Sequence, residues 1–290
     1  MAEYHDHFYQ SEDGLQLHAR IYEAAGSSAL SVVCLPGLTR NARDFHDLAI
    51  FLSSSAKPGR RVVVFEYRGR GQSQWDADST HYNVATEAKD VLVGLDGLAI
   101  PRAAFIGTSR GGLIIHVLAA LRPDILGPIV LNDIGPVIEP EGLVQIRDYL
   151  STAPRPGSFN EAETVQRKIH GAAFPSLSDE DWRRFVRAIY RDDAGRPVPD
   201  FDSALINGLW AFDPAKPMPD LWAQFDLLAA KPLLTIRGTN SRLLSQATVE
   251  EMARRHPGME IELVAGQGHA PLLETADLPA RITKFLTRKS

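Results

Sequence analysis

The chain has 290 residues, 44% of them hydrophobic, and a formal net charge of −5. That length can bury a substantial core in one large domain, and the charges form no basic run of the kind that marks a nucleic-acid binder. No apolar stretch is long enough to span a membrane, and Met1-Ala2-Glu3-Tyr4-His5-Asp6 does not read as a signal peptide. The single cysteine, Cys34, cannot form an internal disulfide and reads as a small core residue. The expectation is a cytoplasmic protein that binds neither nucleic acid nor membrane, as a monomer or homodimer.

In chain order, Glu12-Asp13-Gly14 is a hairpin signal between two early strands. An apolar strand over Ser31–Cys34 follows, then a helix around Asp44–Leu52, a strand over Arg61–Phe65 and a helix around Val84–Leu98. Next comes Phe105-Ile106-Gly107-Thr108-Ser109-Arg110-Gly111-Gly112. This is a short strand, a Gly-x-Ser-x-Gly turn and the start of an amphipathic helix through Leu113, Ile114, Val117 and Leu118. A serine on so tight a turn projects its hydroxyl out of the sheet, and small neighbours let the backbone fold back on itself. The helix N-terminus below it offers unpaired N–H groups to a developing oxyanion. The bland alternative is a glycine turn with an incidental serine; the strand before and the helix after favour the nucleophile.

The strand Pro128–Asn132 ends at Asp133. From about Pro136 to Phe225 the strand–helix alternation stops, and only helical segments and proline-rich links are expected. Ser158-Phe159-Asn160-Glu161 is a capping box within it. The rhythm resumes with strands at Pro232–Ile236 and Glu260–Val264, and a last helix is expected to begin near Pro271. The layout predicts an α/β fold: a doubly wound, mostly parallel eight-stranded sheet. Residues 1–135 and 226–290 form its core, and residues 136–225 form a helical cap inserted after the sixth strand.

Ser109 needs a base. His269, in Gly268-His269-Ala270-Pro271 after the last strand, can swing back over the sheet edge. The other histidines have plainer readings. His116 lies within the helix after Ser109, His5 and His7 alternate on an N-terminal strand, and His256 closes a helix before Pro257.

Over almost its whole length the chain resembles an α/β-hydrolase fold enzyme, in which serine precedes histidine. Leu35-Pro36-Gly37-Leu38 is similar to the family's oxyanion loop, with Pro-Gly where His-Gly is usual. Glu66-Tyr67-Arg68-Gly69-Arg70-Gly71-Gln72-Ser73 resembles the Asp-x-Arg-Gly-x-Gly-x-Ser turn, with Glu66 in place of Asp. The resemblance implies an oxyanion hole from the backbone N–H groups of Leu38 and Arg110. One feature departs from the family. Arg237-Gly238-Thr239-Asn240-Ser241-Arg242 has Arg242 where close relatives carry the acid that orients the histidine. Arginine cannot accept a hydrogen bond from an imidazole N–H. Asp133, one strand on from the serine, is the substitute expected, since some members of the family carry their acid there; its plainer reading is a turn cap. Asn240 offers a second way to hold the ring, and Glu250 lies too far along its helix.

The cap should carry the substrate information. It holds Trp182, Trp210 and Trp222, most of which at helical spacing seal cap to core. Trp182 and Trp210 are candidates to line a pocket for a small molecule with an apolar or aromatic portion. Arg40, Arg110 and Arg242 could attract a substrate carboxylate; for Arg40 and Arg110 the alternative is surface solvation or a structural ion pair. The expected reaction is Ser-His-Asp acyl transfer from an ester, lactone or thioester to water, with no metal or organic cofactor. Cleavage of a carbon–carbon bond, cofactor-free perhydrolysis, and a non-catalytic ligand-binding protein with an impaired site are the alternatives.

Overall fold

The computed structural model describes residues 4–152, 154–216 and 218–289; Met1–Glu3 of the N-terminal segment lie outside them. The strands are β1 (His5–Gln10), β2 (Gln16–Tyr22), β3 (Val32–Leu35), β4 (Val62–Glu66), β5 (Ala103–Thr108), β6 (Leu126–Asn132), β7 (Tyr190–Asp193), β8 (Arg196–Pro199), β9 (Leu233–Gly238) and β10 (Glu260–Val264). The α-helices are α1 (His46–Ile50), α2 (Val84–Gly97), α3 (Arg110–Leu121), α4 (Pro140–Thr152), α5 (Phe159–His170), α6 (Asp179–Ile189), α7 (Asn207–Trp210), α8 (Trp222–Asp226), α9 (Gln246–Arg255) and α10 (Leu278–Lys289).

Eight strands form one sheet in the order β1-β2-β4-β3-β5-β6-β9-β10. β1 pairs antiparallel with β2, and β2 with β4; every other neighbour in this sheet is parallel. The central strands are buried along their whole length, as β4 (Val-Val-Val-Phe-Glu) shows. Such continuous apolar runs belong to strands covered on both faces. One face packs Phe65, Phe105, Leu131 and Leu233 against Leu95, Ile115 and Met252. The other packs Val64, Ile106, Val130 and Leu234 against Leu48, Ile282 and Phe285.

This topology puts the site at one end of the sheet. The chain moves outward from β3 to β4, then returns to place β5 on the other side of β3. The C-terminal ends of parallel strands around such a reversal form a crevice for ligands. The loops after β3, β5 and β6 therefore open side by side, with Leu35 opposite Gly107 and Thr108 opposite Asn132.

Two expectations about local structure need correction. The 136–225 segment is not purely helical, because β7 and β8 form a two-stranded antiparallel hairpin. Its turn is Ala194-Gly195, both with positive φ, the backbone twist that two-residue hairpins require. The last helix starts at Leu278, not near Pro271. Between them the chain is captured by side chains: the Gln267 amide oxygen accepts from the Leu272 N–H at 2.9 Å, and the amide nitrogen donates to Thr275 Oγ1 at 2.7 Å. At the other end of the inserted segment α8 packs on α3, and Phe225 belongs to the sheet's own core, stacked on His116.

Candidate active site

Ser109 follows β5 directly, with φ +52° and ψ −114°. A non-glycine residue held there costs about 1–3 kcal/mol, which the surroundings must offset. The turn is possible only because its flanks lack side chains. A Cβ at Gly107 would lie 2.6 Å from the Gly111 carbonyl carbon, and one at Gly111 would lie 2.0 Å from the Leu35 carbonyl oxygen. The Gly-x-Ser-x-Gly pattern is thus the steric condition for α3 to start immediately beneath the serine.

His269, on the loop after β10, closes over Ser109. Its Nε2 lies 2.8 Å from Ser109 Oγ and its Nδ1 2.8 Å from Asp133 Oδ2. A carboxylate at Nδ1 fixes the ring with that nitrogen protonated and Nε2 free to accept from the serine. Asp133 is completely buried. A charge there needs partners, and it has three. Oδ1 accepts from the Gly238 N–H at 2.9 Å, and Oδ2 accepts from Ser241 Oγ at 2.5 Å as well as from His269.

The chain therefore brings together Ser109, His269 and Asp133 from three separate loops, and leaves the other candidates for the acid's place apart. Arg242 points outward and pairs with the exposed Glu141 at 2.9 Å. It borders neither of the two cavities beside Ser109. The Asn240 amide donates to the Ala173 carbonyl at 3.0 Å, and Glu250 accepts from Gln246 on α9.

The N–H groups of Leu38 and Arg110 make no hydrogen bond among the described residues, and both residues border the space at Ser109. A Cβ at Gly37 would come within 4.0 Å of Ser109 Cβ, so the loop after β3 lies against the serine. This loop is held from below. Fully buried Arg70 donates through Nε to the Leu38 carbonyl at 2.8 Å and through a terminal nitrogen to Glu87 at 2.8 Å. The other Glu87 oxygen accepts from Arg110 Nε at 2.6 Å. One buried carboxylate thus ties Arg110 to Arg70, which in turn holds the Leu38 carbonyl, and nothing in the sequence pattern pairs Glu87 with either arginine.

Arg40 borders the cavity but places two N–H groups on Asp44, at 2.6 and 2.5 Å, with its guanidinium 4.8 Å from the Phe185 ring centre. Glu66, where the family has Asp, accepts from the Ala42 N–H, the Gln72 N–H and the His18 ring, so the longer side chain ties three segments together.

Two cavities meet at the serine, of about 440 and 460 Å³, a size common for small-molecule sites. Trp182, Trp210 and Trp222 border neither. Trp182 is buried edge-on against Phe174 and Phe185, Trp210 is 56% exposed, and Trp222 packs on Phe225 beneath Arg255. The aromatic residues that do border the space are Phe185, on the same helix as Trp182, and Tyr149, His170 and Phe174 from α4, the end of α5 and the loop after it. Loss of water, and then the Arg40 charge, push His170 down to about 4. Glu274 borders the same cavity, and desolvation with Asp44 and Asp47 nearby pushes it up to about 7.

Asp13, Asp76 and His81 could in principle hold a metal, since their ligand atoms lie within 4.8 Å of one another. Arg68 already donates to both carboxylates, at 3.0 and 2.5 Å, so a guanidinium fills the place a cation would take.

Residues 32–282 match the model of the alpha/beta hydrolase family, and the chain belongs to that family. It is 33% identical over 271 residues to a 3-hydroxybutyrate-oligomer hydrolase of Cupriavidus necator, covering 88% of each chain. It is 27% identical to the esterase YbfF of Escherichia coli, over 78% of this chain and 82% of that one. Among solved structures, an alpha/beta hydrolase of Novosphingobium aromaticivorans superimposes with a TM-score of 0.90 at 39% identity, covering 99% of each chain. The relatives named as hydrolases and esterases support a hydrolase.

Proposed function

We propose that the protein is a serine hydrolase that cleaves a carboxylic ester, lactone or thioester through an acyl-enzyme. The observation that carries this reading is the unbroken chain Ser109 Oγ–His269–Asp133, with 2.8 Å at each step. Ser109 Oγ attacks the carbonyl carbon while His269 Nε2 takes its proton. The carbonyl oxygen becomes an oxyanion held by the Leu38 and Arg110 N–H groups; losing one such donor costs about 3 kcal/mol in comparable sites. The carbon–oxygen or carbon–sulfur bond breaks, and the leaving atom receives the proton from His269. Water repeats the sequence, with His269 again as base, and frees Ser109. Asp133 holds the imidazole in one tautomer throughout and stabilises the imidazolium.

The rival reading of an impaired, ligand-binding protein rests on Arg242 standing where the acid is expected. A buried, triply bonded Asp133 at His269 favours the catalytic reading over it. An ester substrate also agrees with the Cupriavidus necator and Escherichia coli relatives, one named a hydrolase of 3-hydroxybutyrate oligomers and one an esterase. The test is turnover of p-nitrophenyl acetate. The reading expects hydrolysis that Ser109→Ala abolishes; hydrolysis that survives the substitution refutes it.

A further inference from the structure

The tetrahedral intermediate has four substituents, and the surroundings of Ser109 dictate where each must go. One is Ser109 Oγ itself. A second is the oxyanion, at the Leu38 and Arg110 N–H groups. The third is the leaving atom. It must take a proton from His269 Nε2 and so has to come within hydrogen-bond reach of that nitrogen. The fourth, the acyl chain, takes the direction that remains.

The two cavities separate the last two. Both touch Leu38, Ser109 and Ile146, so they meet at the nucleophile, but His269 borders only one of them. That cavity must receive the leaving group. The other has Leu113, Leu143, Leu205 and Leu209 in its wall beside the polar Ser79 and Asn207, with Tyr82 its sole aromatic ring among the described residues. The wall on the His269 side is richer in aromatic rings, Phe174 and Phe185 among them, and also carries Arg40, Tyr149 and His170. The Tyr149 hydroxyl has no hydrogen-bond partner among the described residues, though its ring is fixed edge-on against His170 at 4.8 Å.

From this we infer that the substrate is an ester with sizeable groups on both sides of the scissile bond. The acyl part is a flexible aliphatic chain lying in the leucine-lined cavity. The alcohol part lies on the His269 side and carries hydrogen-bond acceptors that Tyr149 can reach. The inference rests on the acyl-enzyme reading above and adds to it the direction and chemistry of each half. A phenol without a protein partner can discriminate, because it gains a hydrogen bond from a polar alcohol and none from a hydrocarbon of the same length.

The test uses two ratios of kcat/KM on the full chain. The acyl ratio compares p-nitrophenyl hexanoate with p-nitrophenyl acetate. The alcohol ratio compares triethylene glycol monoacetate with hexyl acetate. Leu209→Trp should lower the acyl ratio at least tenfold and leave the alcohol ratio within twofold. Tyr149→Phe should lower the alcohol ratio about tenfold, with the acyl ratio within twofold. Labelling of Ser109 by a fluorophosphonate in each variant confirms that the site is intact. Labelled variants with the two responses exchanged, or with neither ratio moved, would overturn the assignment of the cavities while leaving the acyl-enzyme reading in place. A wild-type chain that takes no label at all would instead bring down that earlier reading and this one with it.

Discussion

Asp133 accepts from His269 Nδ1 at 2.8 Å and from Ser241 Oγ at 2.5 Å on the same carboxylate oxygen. The carboxylate at His269 thus comes from the end of β6, while Ser241, in the segment after β9, supplies a hydroxyl that bonds it. β6 and β9 are paired neighbours, with Asn132 opposite Ile236, and both loops open at one end of the sheet.

Asp133→Asn should leave the fold intact and lower kcat by about three to four orders of magnitude, because the amide favours the wrong imidazole tautomer. Ester turnover with a circular dichroism control measures this. Arg242→Ala, which removes only a surface ion pair with Glu141, should change kcat by less than about twofold. Near-normal turnover in Asp133→Asn would contradict the assignment of the acid.

Ser241→Ala tests the support beneath that acid. It takes one hydrogen bond from a buried carboxylate, a change worth about 1.5–3 kcal/mol. The expectation is a roughly tenfold fall in kcat with KM little altered, measured on the same ester. A KM effect alone would show that Ser241 acts on substrate and not on Asp133.

Glu87→Gln leaves two guanidiniums, Arg70 and Arg110, without their shared carboxylate. Removing one member of a buried ionic group costs about 3–5 kcal/mol, so the denaturant midpoint should fall clearly. In the protein that remains folded, kcat should fall at least tenfold while KM stays within about twofold, because the Leu38 loop and Arg110 serve the oxyanion more than the bound ester. Unchanged kcat in the folded fraction would reduce Glu87 to a purely structural part.

Two desolvated groups should bend the pH–stability curve in opposite senses. Burial pushes His116 down to about 4 from an ordinary 6.5. The unfolded chain takes up a proton first, so stability is lost as pH falls from about 6.5 toward 4, by at most about 1.4 kcal/mol per pH unit. Glu274, pushed up to about 7 from 4.5, does the reverse: its protonated form favours the fold at low pH, and that contribution is lost as pH rises from about 4.5 to 7. Chemical denaturation between pH 4 and 8 should therefore show His116→Leu gaining stability relative to wild type at the acid end. Glu274→Gln should gain at the neutral end. Parallel curves for all three proteins would contradict the desolvation assigned to both groups.

The Gly-x-Ser-x-Gly turn was legible because Gly107, Ser109 and Gly111 satisfy a steric requirement that few other residues can meet, and a motif of that kind survives any tertiary context. The central strands were legible for a related reason: two-sided burial leaves unbroken apolar runs such as Val62–Phe65. The cavity walls were not. Tyr149 and His170 sit on helical faces whose direction depends on how α4 and α5 pack, and helical spacing alone gave the tryptophans equal claim. The β7–β8 hairpin was missed although Asp193-Ala194-Gly195 carries a turn signal, because both strands are short and mostly exposed. Glu87 bonds residues 17 and 23 positions away in the chain, and only tertiary packing, of α2 beside α3 and beside the loop after β4, brings them together.

The central claim is that Ser109 is a nucleophile activated by His269, and covalent capture tests it most directly. Incubation of the folded protein with a fluorophosphonate, followed by intact mass and peptide mapping, should show one adduct per chain on Ser109. Ser109→Ala should take none, and Asp133→Asn should react much more slowly. A folded wild-type protein that takes no label, or an adduct that persists in Ser109→Ala, would contradict the account.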